Sequence, residues 1–209
     1  MAIIDERGKR VITENELRGA GESDTIRIDE SAMLTPLAAD IIRERGITVE
    51  RVRRRSAARR LRIAIAADHG GFEMKEELKR VLADLGYDFQ DLGTHSTDAV
   101  DYPDYAHLAA RAVSRKTCDL AIIIDGAGIG SCMTANKVPG IRAAMCYDKA
   151  TARNSREHNG ANVLTLGGKM ISNQLMREIV EAWLTTELTE DRHRRRVAKI
   201  DAVEREYLK

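Results

Sequence analysis

The stretch RIAIAADHGGFEMKEELKRVLADLG, residues 62–86, decides the fold class. Its first six residues are mostly small and β-branched and predict a buried strand, whereas the second half repeats apolar residues at the three- and four-residue spacing of a helix. The same order recurs in DLAIIID (119–125) with the following GAGIGSCMTANKV, and in NVLTLGG (162–168) with the following SNQLMREIVEAWLTT, where Trp183 lies on the apolar face. RAAMCY (142–147) reads as a further strand and KATARNSREHN as a helix. Strands that alternate with helices predict an α/β fold, a parallel sheet with helices on both faces.

The first 56 residues form a different kind of segment. VITENEL, TIRID and LTPLAADIIRERGITV predict short extended pieces and one helix, with Thr35 as N-cap, Pro36 at its first position and Gly46 at its end. So short a segment is expected to bury no core of its own, and therefore to pack on the main domain, on a neighbouring subunit or on a partner. The basic run ERVRRRSAARR marks the boundary, which gives an appendage with linker over 1–56 and a main domain over 57–209.

Composition excludes several classes of protein. Lys plus Arg number 34 and Asp plus Glu 33, so the net charge of +1 gives no global reason to expect nucleic acid or membrane as a partner. The basic run lacks a recognition motif and interleaved aromatics, which favours a solvated linker. No apolar run approaches the roughly 18 residues of a membrane span, and the N-terminus has no signal-peptide core. Three cysteines without CxxC spacing fit neither a disulfide framework nor a zinc site. We expect a soluble, cytoplasmic protein.

Two loops that follow predicted strands carry chemistry. Ligands of parallel α/β sheets gather where strands end, and Asp68-His69-Gly70-Gly71 and the glycine loop 125–130 lie at such ends. The glycine loop also opens a helix, so its free N–H groups could hold a phosphate or a developing oxyanion. On these residues alone, Asp68 could equally be a helix cap. The glycine loop lacks both the further spacing of a dinucleotide fingerprint and the Lys-Ser/Thr ending of a P-loop.

Five motifs in order, DHGGFEMK, DYPDYA, DGAGIGSCMTANKVPGIRAA, SREHNGANVLTLGGKM and DRHRRRV, resemble the ribose-5-phosphate isomerase B family and its relatives, the galactose-6-phosphate isomerase subunits. The resemblance spans residues 61–206 and implies a Rossmann-like sheet. It also implies aldose–ketose isomerisation of a sugar phosphate through an enediolate, ribose 5-phosphate to ribulose 5-phosphate being the first expectation, with no metal or organic cofactor. Relatives share sites between subunits, so a homodimer or a tetramer is expected.

The resemblance also implies roles for single residues. His158 would open the sugar ring and Asn159 would steady the intermediate. Asp68 and His69 would meet substrate hydroxyls or the phosphate side, and Tyr102 would line the pocket. The glycine-loop residues expected to contact the substrate are Gly126, Ala127, Gly128, Gly130 and Ser131.

Phosphate binding falls, by the same resemblance, to Lys169, Arg192 and Arg196. Lys169 stands where many relatives have an arginine, so it keeps the charge but loses bidentate geometry. Taken without the resemblance, the two arginines could belong to a solvated helix face, Tyr102 could be ordinary packing, and His158 could cap a helix C-terminus.

The chain departs from the family pattern at Asp125. Bacterial relatives commonly carry at this position the cysteine that moves the proton, with a threonine where Ala127 stands; other relatives use a glutamate at the position of Ser131. Cys132 is not at the cysteine position. Asp125 is therefore the candidate base. Two alternatives stay open: Asp125 could bind a hydroxyl of another sugar phosphate, or the domain could be a non-catalytic binding or assembly protein. Ala127 lacks the hydroxyl of that threonine, which supports a different sugar phosphate as substrate.

The N-terminal segment has a fainter resemblance of its own. ITENELR with IRIDESAMLTPLAADIIRERGITV resembles the start of ethanolamine-utilisation cobalamin adenosyltransferases, over residues 11–50. The cysteine-rich metal motif of those enzymes does not follow, so their chemistry is not expected here. The resemblance implies a docking element for a shell or cargo partner of a bacterial microcompartment. A dimer-stabilising arm is the alternative.

Overall fold

The computed structural model describes residues 3–6, 9, 11–30, 32–52 and 61–208. The chain divides into two compact units, Met1–Arg59 and Arg60–Lys209. Most of the basic run, residues 53–60, lies outside the described residues, and so does the linker predicted there. No helix in the described ranges is long and apolar enough to cross a membrane.

The N-terminal unit is built from short parallel strands and one α-helix. Its elements are β1 Ile3–Asp5, β2 Val11–Ile12, a 3-10 helix Glu14–Leu17, β3 Thr25–Asp29, β4 Met33–Leu34, α1 Pro36–Glu44 and β5 Thr48–Val52. The strand order β1-β3-β5 makes a parallel sheet, and β2 pairs with β4 in parallel. The predicted start of α1 is confirmed, because the Thr35 hydroxyl accepts the Ala38 N–H at 3.2 Å.

The prediction that this segment buries no core of its own was wrong. A separate cluster of buried apolar side chains lies inside the unit: Ile12, Leu17, Ala20, Ile26, Ile28, Ala32, Ala38 and Ile47. Each strand or helix is too short to be stable alone, but pairing in the parallel sheet and packing of α1 bring their apolar side chains together in one core. A capping box of Thr13 and Glu16 caps the N-terminus of the 3-10 helix, since each side chain accepts a hydrogen bond from the other residue's backbone N–H.

The second unit is a five-stranded, fully parallel sheet in the order β7-β6-β8-β10-β9. Its strands are β6 Arg62–Ala67, β7 Asp88–Asp91, β8 Leu120–Asp125, β9 Ala143–Met145 and β10 Val163–Gly167. Its helices are α2 Phe72–Asp84, α3 Tyr102–Ser114, α4 Ile129–Ala135, α5 Lys149–Glu157, α6 Asn173–Thr185 and α7 Asp191–Tyr207. The strands and helices predicted from 62–86 onward are confirmed.

Helices cover both faces of this sheet, as predicted. On one face α2 and α6 pack on the sheet, and Trp183 is fully buried there. On the other face α3 presents Ala106, Ala109 and Ala110, whose small side chains let the helix lie close to β6 and β8. The central strands are therefore buried on both sides, which explains their continuous apolar runs.

The strand order creates a switch point between β6 and β8. From β6 the chain moves outward to β7 on one side and then returns to β8 on the other side. In open parallel sheets the crevice beyond the carboxyl ends of two such strands is the usual ligand site. Asp68 directly follows β6 and Asp125 ends β8, so both flank this crevice.

Candidate active site

Three strand-end loops meet at the switch point because glycines let their backbones touch. A Cβ added at Gly71 would lie 2.2 Å from the carbonyl oxygen of Ile124, and one at Gly70 would lie 3.3 Å from the nitrogen of Gly126. A Cβ at Gly168 would lie 3.0 Å from the Gly70 carbonyl oxygen. The loops after β6, β8 and β10 thus form one continuous floor that side chains at these positions would push apart.

Asp125 folds back onto its own loop. The side chain is 5% exposed. Its Oδ1 accepts the N–H groups of Ala127, at 2.8 Å, and of Gly128, and its Oδ2 accepts the N–H of Ser131 at 2.9 Å. Gly128 has φ +83°, a conformation that glycine adopts without strain. These three N–H groups are already occupied, contrary to the expectation that the loop offers them to a ligand.

Separate contacts hold Asp68 and His69. Asp68 is buried, and its Oδ1 accepts the N–H of Gly71 at 3.0 Å. The Nδ1 atom of His69 lies 3.2 Å from the nitrogen and 3.2 Å from the oxygen of Val100, in the segment that leads to α3. The His69 ring therefore ties the β6 loop to the chain before Tyr102.

Tyr102 and Ser131 lie around the glycine loop. A Cβ added at Gly130 would lie 2.5 Å from the Tyr102 ring, so the ring rests directly on the first turn of α4. The Ser131 hydroxyl is buried and has no hydrogen-bond partner within the described part of the chain. Both side chains bring a hydroxyl to the neighbourhood of Asp125.

A cavity of about 480 Å³ opens beside this floor. It is lined by His69, Gly70, Glu73, Met74, Thr97, Gly168, Lys169, Ile171, Ser172 and Asn173. Its volume lies within the range of small-molecule sites. Both His69 and Lys169 line this space, which is large enough for a sugar phosphate.

His158 and Asn159 lie elsewhere, at the C-terminal end of α5. A crossover helix between parallel strands begins near the carboxyl edge of the sheet and returns to the amino edge. The nine residues of α5 rise about 13 Å. Within one chain, His158 is therefore at the opposite edge of the sheet from Asp68 and Asp125.

Two neighbours fix the His158 ring. Its Nδ1 atom lies 2.9 Å from the side-chain nitrogen of Asn154. Its face stacks on the ring of His193, with centroids 4.1 Å apart and an interplanar angle of 18°. His193 is 2% exposed, and burial, followed by the nearby His158, lowers its pKa below the usual value.

Arg192 and Arg196 project from the first two turns of α7, and both are exposed. Arg192 Nε lies 2.5 Å from Glu190 Oε2, whereas Arg196 forms no ion pair within the described ranges. Contacts farther along α7 hold the helix, since Asp201 binds Arg142 at 2.9 Å. The two guanidinium groups therefore stand on a fixed helix close to the His158–His193 stack.

The structure thus divides the predicted site residues into two groups. The carboxyl-edge group comprises Asp68, His69, Tyr102, Asp125, Gly126, Ala127, Gly128, Gly130, Ser131 and Lys169. The helix-end group comprises His158, Asn159, Arg192 and Arg196, joined by Asn154 and His193. Sequence reasoning missed the last two. The histidine inside DRHRRRV was the one available signal, because a single imidazole among arginines marks the helix face that turns inward.

A parallel sheet with acidic and imidazole side chains at its switch point defines a Rossmann-like α/β domain that binds a small polar ligand. The family model described as Ribose/Galactose Isomerase matches residues 63–200. The chain belongs to this family, as the motifs predicted.

Individual relatives agree with this assignment. Ribose-5-phosphate isomerase B of Escherichia coli is 41% identical over 143 residues, which are 68% of this chain and 96% of that protein. The Clostridium thermocellum ribose-5-phosphate isomerase B structure has a TM-score of 0.69 and 45% identity, and the match covers 71% of this chain and 100% of that one. The Mycoplasma genitalium enzyme, solved with bound ribulose-5-phosphate, has a TM-score of 0.67 and 39% identity over 69% of this chain and 97% of that one.

Proposed function

We propose that the chain is an aldose–ketose isomerase that interconverts a phosphorylated aldose and its ketose, with ribose 5-phosphate and ribulose 5-phosphate as the first pair. The observation that carries the proposal is the carboxyl-edge group, in which Asp68 and Asp125 lie at the ends of neighbouring strands at the switch point. His69, the residue after Asp68, lines a cavity together with Lys169. The Mycoplasma genitalium relative with bound ribulose-5-phosphate supports the same substrate class.

The chemistry requires one proton to move between neighbouring carbons. A base takes the proton from C2 of the open-chain aldose, the electron pair forms the C1–C2 double bond, and the C1 carbonyl oxygen becomes an oxyanion. Return of the proton to C1, with transfer of the O2 proton to O1, gives the ketose. Asp125 is the proposed base through Oδ2, because Oδ1 already accepts two N–H groups whereas Oδ2 accepts one.

The oxyanion needs donors other than the glycine-loop N–H groups that Asp125 occupies. We assign this part to Asn159, and ring opening to His158, both from the helix-end group. Arg192 and Arg196 would hold the phosphate together with Lys169, because planar guanidinium groups match phosphate oxygens. In this arrangement both groups of residues are necessary for turnover.

We infer that a second copy of the chain supplies the helix-end group to each crevice. Support comes from the position of His158 at the far edge of the sheet, and from apolar side chains that a single chain leaves exposed. Ile129 and Met133 on α4 are 49% and 64% exposed, and Val203 on α7 is 57% exposed. A homodimer is the smallest assembly that completes the site, and two dimers would give a tetramer.

A coupled assay over ribose 5-phosphate, allose 6-phosphate, galactose 6-phosphate and four-carbon sugar phosphates tests the activity. Turnover of ribose 5-phosphate with the highest kcat/KM supports the first pair. A higher kcat/KM for another sugar supports the second candidate, which Asp125 and Ala127 favour because the loop differs there from the family pattern. If no phosphorylated aldose turns over while one binds, the chain is a binding or assembly protein.

For the N-terminal unit we propose docking to a shell or cargo partner of a bacterial microcompartment, with a dimer-stabilising arm as the second candidate. The unit lies outside the matched residues 63–200 and has its own core. Val11 and Met33, which face each other on paired strands, are 42% and 66% exposed. Deletion of residues 1–56 tests the second candidate: unchanged assembly and rate argue against the arm, and loss of assembly argues for it.

A further inference from the structure

We propose that Thr165, in the middle of β10, is a positioning residue that ties the glycine loop to the sheet and thereby fixes the carboxyl group of Asp125. The kinetic part of this inference rests on the proposed isomerase function, in which Asp125 is the base. Its structural part concerns the loop itself and can be measured without any substrate.

Thr165 is an unusual residue for its place in the fold. It is fully buried, and its side chain lies on the same face of the sheet as that of Val163. Among the residues of the five strands of this sheet, it is the only one with a hydroxyl group. A buried hydroxyl costs free energy unless it forms a hydrogen bond, so a threonine at this position requires a partner.

The partner of Thr165 is the backbone of the glycine loop. Its Oγ1 donates to the carbonyl oxygen of Gly128 at 2.9 Å, in a buried hydrogen bond. Gly128 is already packed against the same strand, because a Cβ added to it would lie 2.9 Å from the carbonyl carbon of Leu166. The hydroxyl therefore adds a directional bond at a residue where loop and strand are in contact.

Gly128 connects Thr165 to both carboxyl oxygens of Asp125. The N–H of Gly128 donates to Asp125 Oδ1. Its carbonyl oxygen also accepts the N–H of Cys132 at 3.3 Å, which begins the hydrogen bonding of α4. Within that turn, the N–H of Ser131 donates to Asp125 Oδ2 at 2.9 Å. A displacement of Gly128 would therefore move the donors that orient the carboxyl group.

A purely structural role for the hydroxyl makes a different prediction from a positioning role. If the hydroxyl only stabilised the fold, its loss would lower the free energy of unfolding and leave kcat unchanged. If it positions Asp125, its loss should lower kcat. KM should not change, because Thr165 is fully buried and does not meet substrate.

The structural test is backbone amide hydrogen exchange, followed by NMR on the full chain without substrate. Thr165→Val keeps the branched shape but loses the hydroxyl, whereas Thr165→Ser keeps the hydroxyl. We expect the N–H groups of Gly128 and Ser131 to exchange about two- to tenfold faster in the valine variant, the shift that one hydrogen bond of typical strength produces, and the serine variant to restore slow exchange. Unchanged exchange in Thr165→Val, or equally fast exchange in both variants, overturns the inference.

The kinetic test measures kcat and KM for the sugar phosphate in the same variants. We expect kcat to fall about two- to tenfold in Thr165→Val with KM unchanged, and to recover in Thr165→Ser. Val163→Ala is the packing control, since it removes buried volume from the same face of β10. It should lower the free energy of unfolding and leave kcat within about twofold of the wild-type value. An equal loss of kcat in Val163→Ala overturns the inference.

A double variant asks whether Thr165 acts through Asp125. Because the two effects then share one group, adding Thr165→Val to Asp125→Asn should lower kcat by less than Thr165→Val does alone. The same fold loss in both backgrounds overturns the inference. If the wild type turns over no sugar phosphate, the proposed function fails, and the exchange measurement still decides whether the hydroxyl holds the loop.

Discussion

The carboxyl-edge group and the helix-end group are held by different means. Glycine contacts and backbone N–H groups fix the first, so that Asp68 and Asp125 are buried and each bonds its own loop. Side-chain contacts fix the second, with His158 stacked on His193 and Arg192 and Arg196 exposed at the start of α7. The carboxyl-edge group is therefore complete within one chain, whereas the helix-end group presents its functional atoms outward.

Because the two groups are held differently, substitutions in them should have different effects. A substitution in the carboxyl-edge group should alter the chemical step or the stability of one chain. A substitution in the helix-end group should alter ring opening, oxyanion stabilisation or phosphate binding, and should do so across a subunit boundary. The following variants test that division, beginning with the largest expected effect.

Asp125→Asn should reduce kcat about 10²- to 10⁴-fold, the usual contribution of a positioned general base. The amide keeps an acceptor for the loop but cannot take the proton. Asp125→Cys is the matched variant, because a thiol can carry the proton, and it should retain more activity than Asn. The coupled assay measures both rates, and urea unfolding checks that the loop survives. Full activity in Asp125→Asn would remove Asp125 as the base.

Arg196→Ala should raise KM for the sugar phosphate about 10- to 100-fold with a smaller effect on kcat, because a hydrogen bond to a charged group contributes about 1.5–3 kcal/mol. Arg195→Ala, which removes the same charge from the neighbouring exposed position, is the control and should leave KM within a factor of two to three of the wild-type value. Equal effects of the two variants would mean that only the net charge of α7 matters.

Gly71→Ala should lower the free energy of unfolding by about 1–3 kcal/mol, because the added Cβ would lie 2.2 Å from the Ile124 carbonyl oxygen. Gly126→Ala is the control, since the nearest atom to its added Cβ is Lys169 Cδ at 3.9 Å, and its stability should change by less than about 0.5 kcal/mol. Chemical denaturation measures both. Similar stabilities would show that the loops do not depend on close backbone contact.

His193→Phe should make the stability of the chain less dependent on pH, which is the smallest effect. Because burial lowers the pKa of His193, the folded chain binds this proton less readily than the unfolded chain, whose value is near 6.5. The contribution of His193 to stability is therefore fully present above pH 6.5, and it is lost as the pH drops through the lowered pKa of His193 in the folded chain. His158, Glu190, Arg192 and Arg196 surround this ring.

The comparison is made by urea unfolding of the wild type and His193→Phe at about pH 7.5 and about pH 5.5. The phenylalanine preserves the stacked ring but has no proton to gain. The wild type should lose more stability than the variant between the two pH values. Equal losses would show that His193 titrates as freely in the folded chain as in the unfolded chain.

Local patterns were sufficient to predict much of the fold. The strand at 62–67 and the α1 start at Pro36 could be predicted because buried strands and capped helices have short-range signatures. The positions of Asp68 and Asp125 at strand ends followed from the same pattern. The core of the N-terminal unit could not be predicted, since it depends on how several short pieces pair with one another.

The separation of the site residues into two groups could not be predicted from local sequence patterns either. Residues 68 and 158 belong to one set of motifs, yet the direction of α5 places them at opposite edges of the sheet. The occupation of the loop N–H groups by Asp125 depends on a side-chain rotamer, and the burial of His193 depends on the packing of α7 against α5. Each of these facts arises from tertiary contacts, which spacing along the chain does not encode.

A mixed dimer tests the central claim, that each site combines the two groups from different subunits. Asp125→Asn and His158→Ala chains with different affinity tags are coexpressed, and the heterodimer is isolated by sequential capture. One of its two sites then carries both substitutions and the other carries neither, so we predict about half of the wild-type activity per dimer, far above either variant alone. Activity no higher than that of the single variants would contradict the claim, because it would mean that both groups of one site come from the same chain.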